Sequence, residues 1–279
     1  MASKTDNSLV FLWTEIRHRS TAALRCFSNL PNVKAYLEPF FHVSLCGNVN
    51  NRVFDGYIEE GVLKEMPNLT IEGIKEEIET ASQSSHVIVK DFASALNNNF
   101  DWIPQNASHI LLIRHPAAIF ESLAKLTITD ERASKAIGRA LLEDFPKKNK
   151  FTEALYNLYR YLKENGRKVA VINSNDLVEN PISVARFFCE FTGIPFSKEM
   201  LTWQAIPRGT LPNNWKLHEN FKAADEAFHP YDVASLSTGF SGTSDPFEYD
   251  LETYDLVQRK IIETQIPFYN KLLNLKQSF

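Results

Sequence analysis

Apolar residues in this chain fall in short unbroken runs, and longer stretches of helical period separate them. LVFLW from Leu9, VKAYL from Val33, HVIVKD from His86, HILLIRHP from His109 and KVAVIN from Lys168 are the runs. Apart from VKAYL, which reads as a second short strand, they lack the polar alternate of a half-exposed strand and read as buried strands. Between them Ile71, Ile74 and Ile78 recur at helical spacing over 69–82, and Pro116 opens a helix through AAIFESLAKL. Phe151 to Glu164 is an aromatic-rich helix ended by Asn165-Gly166, and a later helix has Pro181 at its start and Gly193 just past its end. Strand and helix in alternation predict an α/β fold, a doubly wound parallel sheet of about five strands with flanking helices, built as one domain over residues 1–279. Residues 42–68 carry no period and read as a lid. Residues 206–250, rich in Pro, Gly, Asn, Ser and aromatics, read as an ordered loop over a site, and 251–275 as a closing amphipathic helix.

In a sheet of this kind ligands sit beyond the carboxyl ends of the strands, where Arg17, Glu38, Lys90 and Arg114 all fall. The first unit carries the densest chemistry. Its strand runs into Glu15-Ile16-Arg17-His18-Arg19 and then a hydroxyl-rich helix start at Ser20 and Thr21. Backbone N–H groups, the helix dipole and guanidinium forks converge there, which is the composition of an anion site.

The charge balance narrows the partners. With 279 residues, 44% of them hydrophobic, and a net charge of −4, the chain lacks the basic field of a nucleic-acid or membrane-surface binder. No stretch approaches the roughly 18 apolar residues of a membrane span, and the polar start MASKTDN precedes too short a run for a signal peptide. A cytoplasmic protein with neither nucleic-acid nor membrane partners is expected. Cys26, Cys46 and Cys189 are unclustered, so neither a disulfide framework nor a metal site is expected.

Four segments, in order, resemble the P-loop sulfotransferases, which use 3′-phosphoadenosine 5′-phosphosulfate (PAPS) and release 3′-phosphoadenosine 5′-phosphate (PAP). IRHRSTA at 16–22 is similar to the family's 5′-phosphosulfate loop, which implies a P-loop NTPase-like fold, a catalytic role for Arg17 and phosphate contacts from Ser20 and Thr21, with His18, Arg19 and Ala22 in the same loop. RHPAAIFES resembles the 3′-phosphate element, in which Arg114 and Ser122 have the family spacing. NSNDLVENPISVARFFCEFTGIPF resembles the family's structural strand-and-helix segment. RGTLPNNWKLH at 208–218 resembles the nucleotide-closing loop and implies contacts from Arg208, Trp215 and Lys216. The chain departs from the pattern at three places. Arg19 stands for the loop glycine; Ala22 stands for the adenine-stacking Trp, which leaves Trp13 or Trp215 to cover the base; and Lys90-Asp91-Phe92 lacks the usual catalytic His.

The resemblance implies transfer of a sulfuryl group to a hydroxyl or amine of a small-molecule acceptor, and a homodimer is left open. Such transfer needs in-line positioning and charge stabilisation, which Arg17 and Lys90 can supply without a metal. For the base, Glu38 stands ahead of His42 and Asp91. Phe40, Phe41, Phe54 and Tyr57 are core or acceptor-pocket wall. Two rival readings stay open: a P-loop kinase or NTPase, although G-x-x-x-x-G-K-[ST] is absent, and a sulfotransferase-like nucleotide-binding protein without catalysis.

Overall fold

The computed structural model describes residues 7–50, 52, 56–126, 128, 130–144, 151–208, 210–217 and 231–279. Phe54, His218 and the 219–230 part of the expected loop lie outside them. Six parallel strands form one sheet in the order β5-β4-β1-β3-β2-β6. They are β1 (Leu9–Thr14), β2 (Val33–Leu37), β3 (His86–Phe92), β4 (Ser108–Ile113), β5 (Val169–Asn173) and a two-residue edge strand, β6 (Trp215–Lys216). The last is the addition to the expected five. It pairs with β2 through Ala35 opposite Trp215, too short to leave a periodic signal.

The helices in chain order are α1 (Ser20–Ser28), α2 (Pro39–Cys46), α3 (Gly56–Glu59), α4 (Ile71–Ser82), α5 (Pro116–Ala124), α6 (Glu131–Arg139), α7 (Phe151–Glu164), α8 (Asp176–Glu179), α9 (Pro181–Thr192), α10 (Asp232–Leu236) and α11 (Leu256–Leu273). Alternate residues of each apolar strand enter opposite layers. Phe11, Trp13, Val87, Val89 and Leu111 pack with α2, α4 and α7 in one core. Val10, Leu12, Ile88, Ile110 and Leu112 pack with α1 and α9 in the other, where Phe27 stacks on Phe188 at 3.9 Å. Helices on both faces remove the solvent side of the sheet, which is why the central strands β1, β3 and β4 are almost wholly buried; β2, next to the edge, keeps one exposed polar residue, Lys34.

The expected lid at 42–68 is corrected over its first five residues. His42 to Cys46 complete α2, whose Phe40, His42, Val43, Leu45 and Cys46 are all buried. A helix apolar all round shows no amphipathic period and so reads as structureless.

The sheet fixes the site. Chain order reverses about β1, which lies between β3 and β4, and register sets Leu12 opposite both Lys90 and Ile110. The carboxyl ends of β1, β3 and β4 therefore stand nearly level and open onto one crevice at the switch point. Among the described residues no helix is long and apolar enough to cross a membrane.

Candidate active site

At the end of β1 the chain enters α1 through a turn in which Arg17 and Arg19 have φ 63° and 61°, left-handed values that L side chains adopt at a cost. The turn aims the first N–H groups of α1 outward. No side chain caps that end and no acidic residue lies in its first turn, so its N–H groups and positive dipole end are offered to a ligand. Arg17, Arg19, Ser20, Thr21 and Ala22 all face one cavity of about 340 Å³. His18 does not. Its ring turns into the sheet, where Nδ1–H donates to the Leu112 carbonyl at 2.9 Å, and burial pushes its pKa down to about 3. The expected ligand contact from the His18 side chain is therefore corrected: a neutral, buried ring there anchors the turn.

Arg114, from the end of β4, and Ser122, on α5, line the same cavity. Arg17 Nε donates to Ser122 Oγ at 3.0 Å. Arg114 grips Asp245 with both edges of its fork, Nε to Oδ2 at 2.7 Å and Nη2 to Oδ1 at 2.6 Å, and its Nη1 donates to the Arg17 carbonyl at 2.6 Å. Arg19 Nη2 reaches the same carboxylate at 2.9 Å, and its Nη1 reaches Asn175 Oδ1 at 2.9 Å. Burial and the neighbouring Arg114 both pull the Arg17 pKa below its ordinary value. Three guanidiniums thus converge on one mouth with one carboxylate among them.

Across the cavity Glu38, also left-handed at φ 57°, sits between β2 and α2. Its backbone N–H donates to the Lys90 carbonyl at 2.7 Å, its Oε1 pairs with Lys90 Nζ, and its Oε2 accepts from the Tyr231 hydroxyl at 3.0 Å. Lys90 also lies over the Phe92 ring, 4.2 Å from its centre. Glu38, Lys90 and Tyr231 all line the cavity, and Phe41, Tyr57, Phe92, Leu126 and Ile137 make an apolar wall beside them. Phe40, by contrast, stacks on Phe11 within the core.

The two other base candidates are corrected by their surroundings. Asp91 is fully buried and caps α2: Oδ2 accepts from Phe40 N at 2.6 Å, and Oδ1 from Phe41 N at 3.1 Å and Phe92 N at 2.8 Å. Three backbone N–H groups engage its two oxygens, and it is not among the residues that line the cavity. His42 lies on the far side of α2, in a separate pocket with Tyr36, Asn68, Glu77 and Lys216. Lys216 is in that second pocket too, ion-paired with Glu77. Trp215 packs against the α1 side of the sheet, with its indole donating to Ser28 Oγ at 2.7 Å, and Trp13 is buried with its indole on His109 Nδ1 at 3.1 Å. Neither tryptophan reaches the site: β6 uses Trp215 in a sheet edge, and Trp13 is buried in the core from β1. Arg208 is two-thirds exposed and paired with Asp232 at 3.2 Å. None of these six lines the cavity holding Arg17.

Sequence reasoning missed Tyr231, Phe240, Asn175 and Asp245. The polar and aromatic segment 206–250 signalled a cover over the site, yet nothing in its composition says which residue reaches inward. Glu15 was missed as well. It is buried, with its carboxylate accepting from Ser94 N at 2.8 Å and Ser94 Oγ at 2.7 Å, and burial pushes its pKa up to about 8. Among the described residues no group of three or more His, Cys, Asp or Glu is placed to hold a metal ion.

Comparison with known proteins adds an independent finding. A family model described as a sulfotransferase domain matches residues 9–275. Two Arabidopsis thaliana proteins, branched-chain-amino-acid aminotransferase-like proteins 2 and 1, are 23% and 24% identical over 95% and 96% of this chain. The match occupies 41% and 42% of their lengths, so the chain spans about two fifths of these relatives. Among solved structures, the sulfotransferase domain from the curacin biosynthetic pathway covers 94% of this chain and 98% of its own, with a TM-score of 0.50 and 15% identity. That likeness is one of fold.

Proposed function

Because the chain belongs to the sulfotransferase domain family, we propose that it transfers a sulfuryl group from PAPS to a hydroxyl or amine of a small-molecule acceptor. The observation that carries the reading is the convergence on one cavity of an uncapped α1 N-terminus, Arg17, Ser122 and Arg114 on one side with the Glu38–Lys90 pair on the other. The first group suits a nucleotide bearing several anionic groups; the second suits the acceptor.

The chemistry divides accordingly. Ser20 and Thr21 present hydroxyls and N–H groups to the 5′ end of the donor, and Arg114 and Ser122 lie where a 3′-phosphate would be recognised. Arg17 and Lys90 place positive charge where negative charge develops on the leaving and transferred oxygens. Glu38 takes the acceptor proton as the acceptor oxygen bonds to sulfur and the bond from sulfur to the leaving phosphate oxygen breaks, leaving a sulfate ester and PAP. Lys90 and Tyr231 hold the carboxylate toward the cavity for that step. The apolar wall of Phe41, Tyr57, Phe92, Leu126 and Ile137 suits an acceptor with an apolar body.

Thermal melts with PAP, adenosine 5′-phosphosulfate and ATP with magnesium test the reading. A ligand of the native state present at about 100 times its dissociation constant adds roughly 2.7 kcal/mol, so PAP should raise the melting temperature clearly and ATP should not. No shift with PAP, or an equal shift with ATP, would overturn it.

A further inference from the structure

The turn that carries the anion site is made from unfavourable parts. Arg17 and Arg19 both hold left-handed backbone, a conformation that glycine takes freely and that other residues keep only where their surroundings over-determine it. Their guanidiniums, with that of Arg114, crowd a half-buried mouth; burial first, and then the proximity of Arg114, depresses the pKa of both, while Asp245 raises that of Arg19. Something must hold like charges together and strained backbone in place before any ligand arrives.

The contacts of Asp245 meet both requirements. Its carboxylate takes Nε and Nη2 of Arg114 and Nη2 of Arg19, so it lies between two of the three cations. Arg114 then spends Nη1 on the Arg17 carbonyl, which ties the left-handed turn to the end of β4. Asp245 is itself fixed at its backbone in both directions: its N–H donates to Asn175 Oδ1 at 3.0 Å, and its carbonyl accepts from Asn175 Nδ2 at 3.1 Å. The same Asn175 Oδ1 receives Arg19. Arg19 and Arg114 line the cavity, whereas the Asp245 carboxylate is 9% exposed and is not among the residues that line it. A guanidinium has five N–H groups. After these contacts Arg114 keeps one N–H on Nη1 and one on Nη2.

We propose that Asp245 is a positioning residue of the donor site: from behind, it holds Arg19 and Arg114 in the orientation in which they meet an anion, and Asn175 holds Asp245. The assignment rests on the donor reading above. Asp245 acts through the two arginines and touches neither donor nor acceptor.

Titration calorimetry with two probes, PAP and inorganic pyrophosphate, tests the assignment on the wild type, Asp245→Asn, Asp245→Glu and Arg19→Gly. Removing the charge while keeping the size should weaken both probes about tenfold, the scale of one hydrogen bond to a charged group. Asp245→Glu, which keeps a carboxylate, should recover part of that loss. In an Arg19→Gly background, where the left-handed turn is unstrained, the Asp245→Asn effect should shrink. Should Asp245→Asn fail to fold, Asn175→Ala, which releases both Arg19 and the Asp245 backbone, should show the same loss. Wild-type affinity in folded Asp245→Asn, with only a lower melting temperature, would make the acid merely structural and overturn the assignment; tighter binding would show that it competes with the anion, with the same consequence. If the wild type binds pyrophosphate but not PAP, the donor reading fails and the role of Asp245 is still read from pyrophosphate. Binding of neither overturns both.

Discussion

The two halves of the cavity are built by different means. The donor half draws on two compact stretches, 17–22 and 114–122, each a strand end running into a helix start, so neighbours in sequence are neighbours in the site. The acceptor half gathers Glu38, Tyr57, Lys90, Phe92, Leu126, Ile137 and Tyr231 from six separate places in the chain. The first kind of site is local, fixed by backbone N–H groups and a helix terminus. The second depends on tertiary packing to bring a carboxylate, an ammonium and a phenol together. The halves should therefore respond differently to substitution: changes in the donor half other than at Arg17 should fall on nucleotide affinity, and changes at Arg17 and in the acceptor half on turnover.

The largest expected effect breaks the acceptor half. Glu38→Gln keeps size and the hydrogen bond from Tyr231 but removes proton acceptance, and should lower kcat by roughly 10² to 10⁴. PAP affinity should stay near wild type, since Glu38 stands across the cavity from the α1 terminus. Steady-state rates beside calorimetry separate the two quantities. The substitution also leaves the buried Lys90 ammonium without its counter-charge, so a lower melting temperature is expected as well. If kcat holds and only stability falls, Glu38 orients Lys90 and is not the base.

This contrast also explains what could be read from the chain alone. The parallel α/β sheet was legible because its strands are apolar runs and its helices begin at Pro116 and Pro181, both local signals. Arg17, Ser20, Thr21 and Arg114 were legible because each lies within three residues of a strand end or helix start, whereas Ser122, six residues past the start of α5, was legible only through its spacing from Arg114 in the family resemblance. Asp91 and His42 were misread as candidate bases. Both lie near the right strand end, but Asp91 turns its carboxylate onto the α2 backbone, and the turn of a helix carries His42 to the opposite face. Trp215 and Lys216 were misread because two residues of edge strand have no period to show. Asp245 left no trace: its partners Arg19 and Arg114 are 226 and 131 residues away, and neither distance is encoded in local composition.

A smaller effect sharpens the donor half. Arg114→Ala should weaken PAP by tenfold or more, since hydrogen bonds to charged groups contribute on the order of 1.5 to 3 kcal/mol. Adenosine 5′-phosphosulfate, which lacks the 3′-phosphate, should lose much less. The comparison is needed because Arg114 also holds the Arg17 carbonyl, so some loss common to both nucleotides is expected from the loosened turn. Equal losses would mean that Arg114 serves only the turn and does not read the 3′-phosphate.

The smallest expected effect concerns stability, and it places the rigid part of the molecule beneath the cavity. His18 and His109 are buried in the sheet, one donating to Leu112 and the other accepting the Trp13 indole. Burial holds both neutral, with pKa values pushed down to about 3 from an ordinary 6.5. Below pH 6.5 the unfolded chain takes up protons at these rings while the folded chain does not. Stability contributed by the neutral rings is thus fully present above pH 6.5 and falls as pH drops toward about 3. Each ring contributes at most about 1.4 kcal/mol per pH unit across that window. His109→Gln keeps an acceptor for the Trp13 indole and cannot titrate. Urea unfolding between pH 7 and pH 4.5 should show the variant losing stability less steeply than the wild type, by up to one proton's worth. An unchanged slope would mean that His109 is protonated in the folded protein or already reached by water, and that the layer under the donor turn is looser than its burial indicates.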